Sequence, residues 1–241
     1  MSEFKLPTEV VELPSKGLVY PSDNPLSSGQ VEIKYMTAKE EDILTNQSYI
    51  EKGIVLDKLL ESVVVSKINL NDLIVGDKNA VLIATRILGY GKEYKFTYNN
   101  EEQTVDLSLL DNKEFDESSI KKGKNEFSFE LPHSGNKITF KILTGSDERK
   151  IEQELKGLKK INKNSSPEMS TRLKYMITSI NGEEDKKTIR EFVDTALLAR
   201  DARALREYIK EVQPDVDLTY ELEGGEEVTI PIGIRFFWPD L

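Results

Sequence analysis

From Val31 the chain alternates: Val31, Ile33 and Tyr35 are apolar and Glu32 and Lys34 between them are charged, the period of two of a half-buried strand. Thr37 stands three residues ahead of Glu40, the spacing of a capping box, and predicts a helix with an acidic first turn. The period then becomes helical, with Leu56, Leu59, Leu60 and Val63 on one face. Asp77 is expected to cap a further helix whose apolar face carries Val81, Leu82, Thr85 and Leu88, ended by Gly89-Tyr90-Gly91. Two strands, 94–98 and 104–109, are predicted around a polar turn at Asn99-Asn100.

Alternation returns at Phe127, Phe129 and Leu131, breaks at Ser134-Gly135-Asn136, and resumes at Ile138, Phe140 and Ile142, which predicts a hairpin. Thr144 or Ser146 is placed to cap a charged helix, and 156–164 reads as a loop or frayed end. Pro167 suits the first turn of the next helix, with Ser166 as its cap and Asn181-Gly182 as its stop. Helices over 187–198 and 201–212 follow, the second ended by Pro214, and strands 218–222 and 228–232 flank Gly224-Gly225.

Two stretches stand apart. Residues 1–30 hold Pro7, Pro14, Pro21 and Pro25 among serines and glycines, which predicts an extended arm. Its Val10, Val11, Leu13, Leu18, Val19 and Tyr20 are too apolar for a free linker, so it packs along its own body or a partner. Residues 111–124 are polar and rich in lysine and aspartate, the composition of a linker.

The order strand, helices, hairpin occurs twice. Val31–Thr37 matches Ile138–Thr144 in position and character, and each runs into a threonine and an acidic helical start. Ala84-Thr85-Arg86 precedes Phe96-Thr97-Tyr98 as Ala204-Leu205-Arg206 precedes Leu218-Thr219-Tyr220. The expected fold is therefore α+β, an internal duplication of two related modules, 31–110 and 125–241, with an N-terminal arm over 1–30 and a linker over 111–124.

Composition narrows the function. The chain has 241 residues, 38% hydrophobic and 32% charged, enough apolar material for a real core. A net charge of −10 argues against a nucleic-acid binder, whose phosphates call for clustered Lys and Arg. With no cysteine, disulfides and thiolate metal sites are excluded, and the single histidine, His133, lies in a turn-forming stretch. The charged start does not read as a signal peptide and no apolar run reaches membrane-spanning length, so a cytoplasmic protein is expected.

No nucleophile elbow, phosphate loop or dinucleotide fingerprint appears. The acidic runs Glu40-Glu41-Asp42 and Glu183-Glu184-Asp185 fall at a helix start and a turn, where solvent and helix dipole favour negative charge. No cofactor and no metal are expected. The unusual segment is the end, where Arg235, Phe236, Phe237 and Trp238 lie close together. Adjacent phenylalanines on a strand would point to opposite faces, so one core would not take both. The tail either folds back as a cap or anchors a partner, since Trp, Phe and Arg concentrate at interface hot spots. Arg235, Phe236, Phe237 and Trp238, with Leu18 and Tyr20 of the arm, are the candidate partner-binding residues.

Leu13-Pro14-Ser15-Lys16-Gly17-Leu18-Val19-Tyr20-Pro21, the run from Arg86 to Tyr94, Ala199–Arg206, and the closing Phe-Phe-Trp-Pro form an ordered set of stretches. Together they resemble the T4-type bacteriophage baseplate family that includes the hub assembly proteins. The resemblance spans nearly the whole chain. It implies a non-enzymatic structural or chaperone role in the host cytoplasm, bound to other tail proteins such as the hub or tape-measure protein, with retention in the virion baseplate left open. The resemblance implies paired cysteines in the two hairpins of many relatives, in the manner of zinc-ribbon knuckles. Here those places read Tyr98-Asn99-Asn100-Glu101-Glu102 and Glu221-Leu222-Glu223-Gly224-Gly225, which removes any zinc knuckle. The competing expectation is a tail-associated cell-wall hydrolase with a carboxylate pair brought together only by the fold.

Overall fold

The computed structural model describes residues 6–161, 167–222 and 225–237. The fold is mixed α and β, with helices packed among small antiparallel sheets. In the first half, β1 (Thr8–Glu12) pairs with β2 (Gln30–Lys34), Val11 opposite Val31. The Pro-rich arm therefore supplies a strand. The chain between them is folded tightly: Gly17 has φ 76°, and a Cβ there would sit 2.5 Å from the Ser27 carbonyl oxygen.

Helices α1 (Ala38–Leu44), α2 (Gln47–Lys52) and α3 (Val55–Val63) follow, the last burying Leu59, Leu60 and Val63 as its periodicity predicts, with Val55 fully buried where Leu56 was expected and Leu56 only partly so. The capping box forms, the Thr37 N–H and hydroxyl donating to Glu40 Oε2 at 2.8 and 2.6 Å. Helix α4 (Val75–Tyr90) starts two residues before Asp77, so Asp77 is the third helical residue and not the cap. After it, β3 (Glu93–Tyr98) and β4 (Glu101–Asp106) pair in register. The second strand begins three residues earlier than predicted. Asn99 and Asn100 both take positive φ, a two-residue hairpin turn that lets pairing resume at once.

The second half opens with β5 (Phe127–Glu130) and β6 (Lys137–Phe140), the predicted hairpin. Helix α5 (Gly145–Ile161) extends through much of the expected loop, its end supported by the Lys156–Glu152 pair and by Lys159 and Lys160 near its C-terminus. In α6 (Glu168–Met176) Pro167 is the cap, not the first helical residue; the predicted cap Ser166 lies outside the described residues. The chain then leaves the helix five residues before Asn181. Ile177–Ile180 is a strand, β7, pairing with β6, because two isoleucines and a threonine gain more on the buried sheet than in a last helical turn. Helices α7 (Lys186–Thr195) and α8 (Ala199–Val212) and the short hairpin β8 (Thr219–Glu221) and β9 (Glu227–Thr229) complete the order.

Similar constellations occur at corresponding places of the two halves. Leu13-Pro14 ends β1 and Leu131-Pro132 follows β5, both leucines buried, their N–H groups donating to the carbonyls of Gly29 and Asn136. Lys34 pairs with Glu40 at 2.9 Å and Lys141 with Asp147 at 2.7 Å, each acid also taking the N–H and hydroxyl of the threonine three residues before it. Val64 forms a bridge with Ile33 where Ile177 pairs with Phe140. Asp77 and Asp201, each third in its helix, are both buried and both accept backbone N–H groups from the loop after the half's first strand. That correspondence aligns α4 with α8 one turn away from the alignment suggested by Ala84-Thr85-Arg86 and Ala204-Leu205-Arg206.

One continuous apolar interior runs through both halves. A bridge between Ile74 and Thr144 joins them, with the Val75 N–H donating to Leu143 O and the Gly145 N–H to Leu73 O. Residues 111–124 are held as well: Asn112 bridges Val216, Ile120 is buried, and the Gly123 N–H donates to Leu18 O at 2.7 Å.

Glu40 makes acid a sensitive probe of the first half. Burial opposes its charge, but Lys34, Ser62 and Thr37 hold its pKa down to about 2 from an ordinary 4.5. A depressed carboxylate contributes stability above its unfolded pKa and loses it as pH falls through the folded one. With solvent screening through partly exposed Lys34, that contribution is on the order of 2 kcal/mol. Thermal melting from pH 7 to pH 2 should show wild type losing more stability between about pH 5 and pH 2 than Glu40→Gln, which starts lower. Parallel curves for the two proteins would contradict this role.

Candidate partner-binding cleft

The last turn of α4 organises the C-terminal end of the chain. Arg86 is 1% exposed there, and three backbone carbonyls take its guanidinium: Nε donates to Phe236 O at 3.0 Å, Nη1 to Gly91 O at 2.9 Å and Nη2 to Glu93 O at 3.3 Å. The Tyr90 and Tyr94 rings lie 5.2 and 6.0 Å from the same group. One side chain thus joins the helix end, the start of β3 and the tail. Arginine suits this because its planar fork serves several acceptors at once.

The tail enters as a 3₁₀ turn over Ile234–Phe237. Successive residues of such a turn point about 120° apart rather than 180°, so two adjacent rings can reach one interior. Phe236 and Phe237 are 0% and 2% exposed. Phe236 packs on Tyr94 at 5.0 Å and edge-on to Phe237 at 5.5 Å. The expectation that a single core would not take both is therefore corrected, and neither ring offers a surface to a partner. Trp238 lies outside the described residues.

Of the two arm residues, Tyr20 is turned inward in the same way. Tyr20 is buried, its hydroxyl donating to Asp77 Oδ2 at 2.6 Å and accepting the Ile74 N–H at 3.0 Å. Burial and the Asp77 charge push its phenol far up from the ordinary value. Ser15 donates to the same carboxylate through its N–H at 2.9 Å and its hydroxyl at 2.7 Å. Burial raises the Asp77 carboxyl, with Tyr20 and Ser15 pulling in the opposite direction. Leu18 is half-buried against the core. Arm and tail are not brought together: the arm is pinned to the first turn of α4 and the tail to its last.

Of the candidate residues described, Arg235 alone is exposed, and it lines a cleft that the sequence did not suggest. Tyr94–Tyr98 form one wall and Glu227–Thr229 the other, with Pro231 beside Arg235, enclosing about 570 Å³. The two hairpins grip each other across it. The Tyr98 hydroxyl donates to Glu226 Oε1 at 2.7 Å, Tyr220 reaches the Thr104 carbonyl at 3.3 Å, and the Phe96 and Tyr220 rings meet edge-on at 6.4 Å. Phe96 and Tyr98, partly exposed in the same cleft as Arg235, suit protein contact, since aromatic side chains bury large area at small entropic cost. The only sequence signal was the alternation of Tyr94, Phe96 and Tyr98 in β3, which does not say what the strand faces.

Acidic residues gather with cations at a second place. Asp57, which lies in a separate charged cleft, is held below its ordinary pKa against desolvation by Lys78 and Arg149. In the same cleft Glu148 and Glu168 both pair with Arg172. Among the described residues no three of His, Asp and Glu group as metal ligands would. No helix among them is long and apolar enough to cross a membrane. Comparison with family models, with curated proteins and with solved structures finds no match.

Proposed function

We propose that the chain is a non-enzymatic assembly protein of a contractile phage tail baseplate, binding other tail proteins through the cleft between the β3–β4 and β8–β9 hairpins. The observation that carries the reading is what the resembling stretches do. Leu13–Pro21 supplies Ser15 and Tyr20 to Asp77, Arg86–Tyr94 builds the arginine clamp, Ala199–Arg206 places Asp201 on the β5–β6 loop, and Phe236-Phe237 fills the core. These are framework roles, as a binding module requires, and the carboxylates lining the charged cleft are matched by cations rather than poised for acid catalysis. The repeated corners and capping boxes support the further reading that the halves descend from one duplicated module.

Tagged protein captured from cells infected by the parent phage should bring down baseplate, hub or tape-measure proteins, identified by mass spectrometry against an untagged control. Arg235→Glu at the cleft mouth should cut that recovery several-fold while leaving melting unchanged, and purified tails will show whether the protein stays in the particle. Peptidoglycan cleavage by the purified chain, abolished by one carboxylate-to-amide change, would replace this reading with that of a hydrolase.

A further inference from the structure

A third cleft, of about 230 Å³, lies where the halves meet, between α6 and α8. Its floor is apolar, formed by Leu143, Leu173, Met176 and Ile209. Arg206 and Lys210, one turn apart on α8, line its edge. Arg172 also lines the cleft but is already held by Glu148 in a two-pronged pair at 2.6 and 3.0 Å. Arg206 and Lys210, by contrast, have no carboxylate partner among the described residues. Two like charges at this spacing repel slightly, although Lys210 in the last turn of α8 also suits the helix dipole. At the same edge Met169 is 57% exposed, a large apolar side chain left in solvent.

The volume is below the roughly 300–1,000 Å³ of small-molecule sites and suits one large apolar side chain. The two flexible thioethers of Met169 and Met176 can adapt to the shape that enters. A nucleic-acid backbone is a poor match, because the floor is apolar and Glu148 stands in the wall of a chain with net charge −10. Cations flanking an apolar slot complement carboxylates flanking an apolar anchor.

We propose that this cleft docks an acidic amphipathic segment of a partner protein, one large apolar side chain entering between α6 and α8 and neighbouring carboxylates pairing with Arg206 and Lys210. The inference does not depend on the tail-assembly reading, since it concerns a different face of the molecule and only the chemistry of what binds there.

The test uses the full chain panned against a displayed library of random 12-residue peptides, with selected peptides then made synthetically. Expected winners carry one large apolar residue with two acids within a helical turn. Their binding should perturb the methyl resonances of Met169 and Met176 and leave that of Met36 in place. Arg206→Glu/Lys210→Glu should weaken binding at least about tenfold, and peptides with the acids changed to lysine should bind that variant instead. Arg206→Gln/Lys210→Gln, which adds no charge, should give an intermediate loss and guards against a folding defect, read by thermal melting. No enrichment, winners without acids, unmoved Met169 and Met176 signals, or indifference to charge reversal would each overturn the proposal. So would a concentration-dependent dimer abolished by the same reversal, which would make a second copy the occupant.

Discussion

Phe237→Ala is expected to destabilise the chain by about 3–5 kcal/mol, and Phe236→Ala by a similar amount, the range for deleting a buried aromatic ring. Both rings are sealed from solvent, and their edge-to-face contact means that the double variant should lose less than the sum of the singles. Against the roughly 5–15 kcal/mol by which domains are stable, either loss is large. Urea unfolding will measure it as a lower midpoint at unchanged slope. Arg235→Ala, one residue earlier and exposed, should leave the midpoint in place. The outcome that would defeat this account is a Phe237→Ala protein as stable as wild type, because the tail would then not be seated under Arg86.

Asp77→Ala should cost about as much by a different route. It removes an acceptor from the Ser15 N–H, the Ser15 hydroxyl and the Tyr20 hydroxyl at once, all out of reach of water. A stranded buried polar group costs about 1–3 kcal/mol, so three give a loss of roughly 3–5 kcal/mol after partial relaxation. Tyr20→Phe should cost less, about 2–3 kcal/mol, since it strands the Ile74 N–H and takes one donor from Asp77 while the ring stays. Hydrogen exchange should locate the damage: amides of residues 13–20 lose protection in Asp77→Ala while those of β5 and β6 keep theirs. Measured coupling between Asp77 and Tyr20 near zero in a double-mutant cycle would rule out the pin.

Much of the framework was legible because it is local. The Thr37–Glu40 box, the apolar stripe of α3, and the hairpins at Asn99-Asn100 and Ser134-Gly135-Asn136 are each set by residues within a few positions of one another. Local patterns mislead where two structures share them. An aspartate near a helix start reads equally as a cap or as a third helical residue, and at Asp77 the difference decides whether it faces solvent or the arm. Ile177–Ile180 continues the apolar spacing of α6, and only β6 alongside makes it a strand.

The sequence by itself determined that this chain folds as mixed α and β, where the Thr37–Glu40 box caps α1 and where the hairpins at Asn99-Asn100 and Ser134-Gly135-Asn136 turn, and that similar patterns recur in both halves. Tertiary structure alone decided what the unusual residues do. Tyr20 meets Asp77 across 57 positions, Arg86 meets Phe236 across 150, and Tyr98 meets Glu226 across 128. No periodicity encodes such distances. They are set by how amphipathic elements close over one interior, and that closure buried the rings expected at a partner and left Arg235 at the mouth of a cleft.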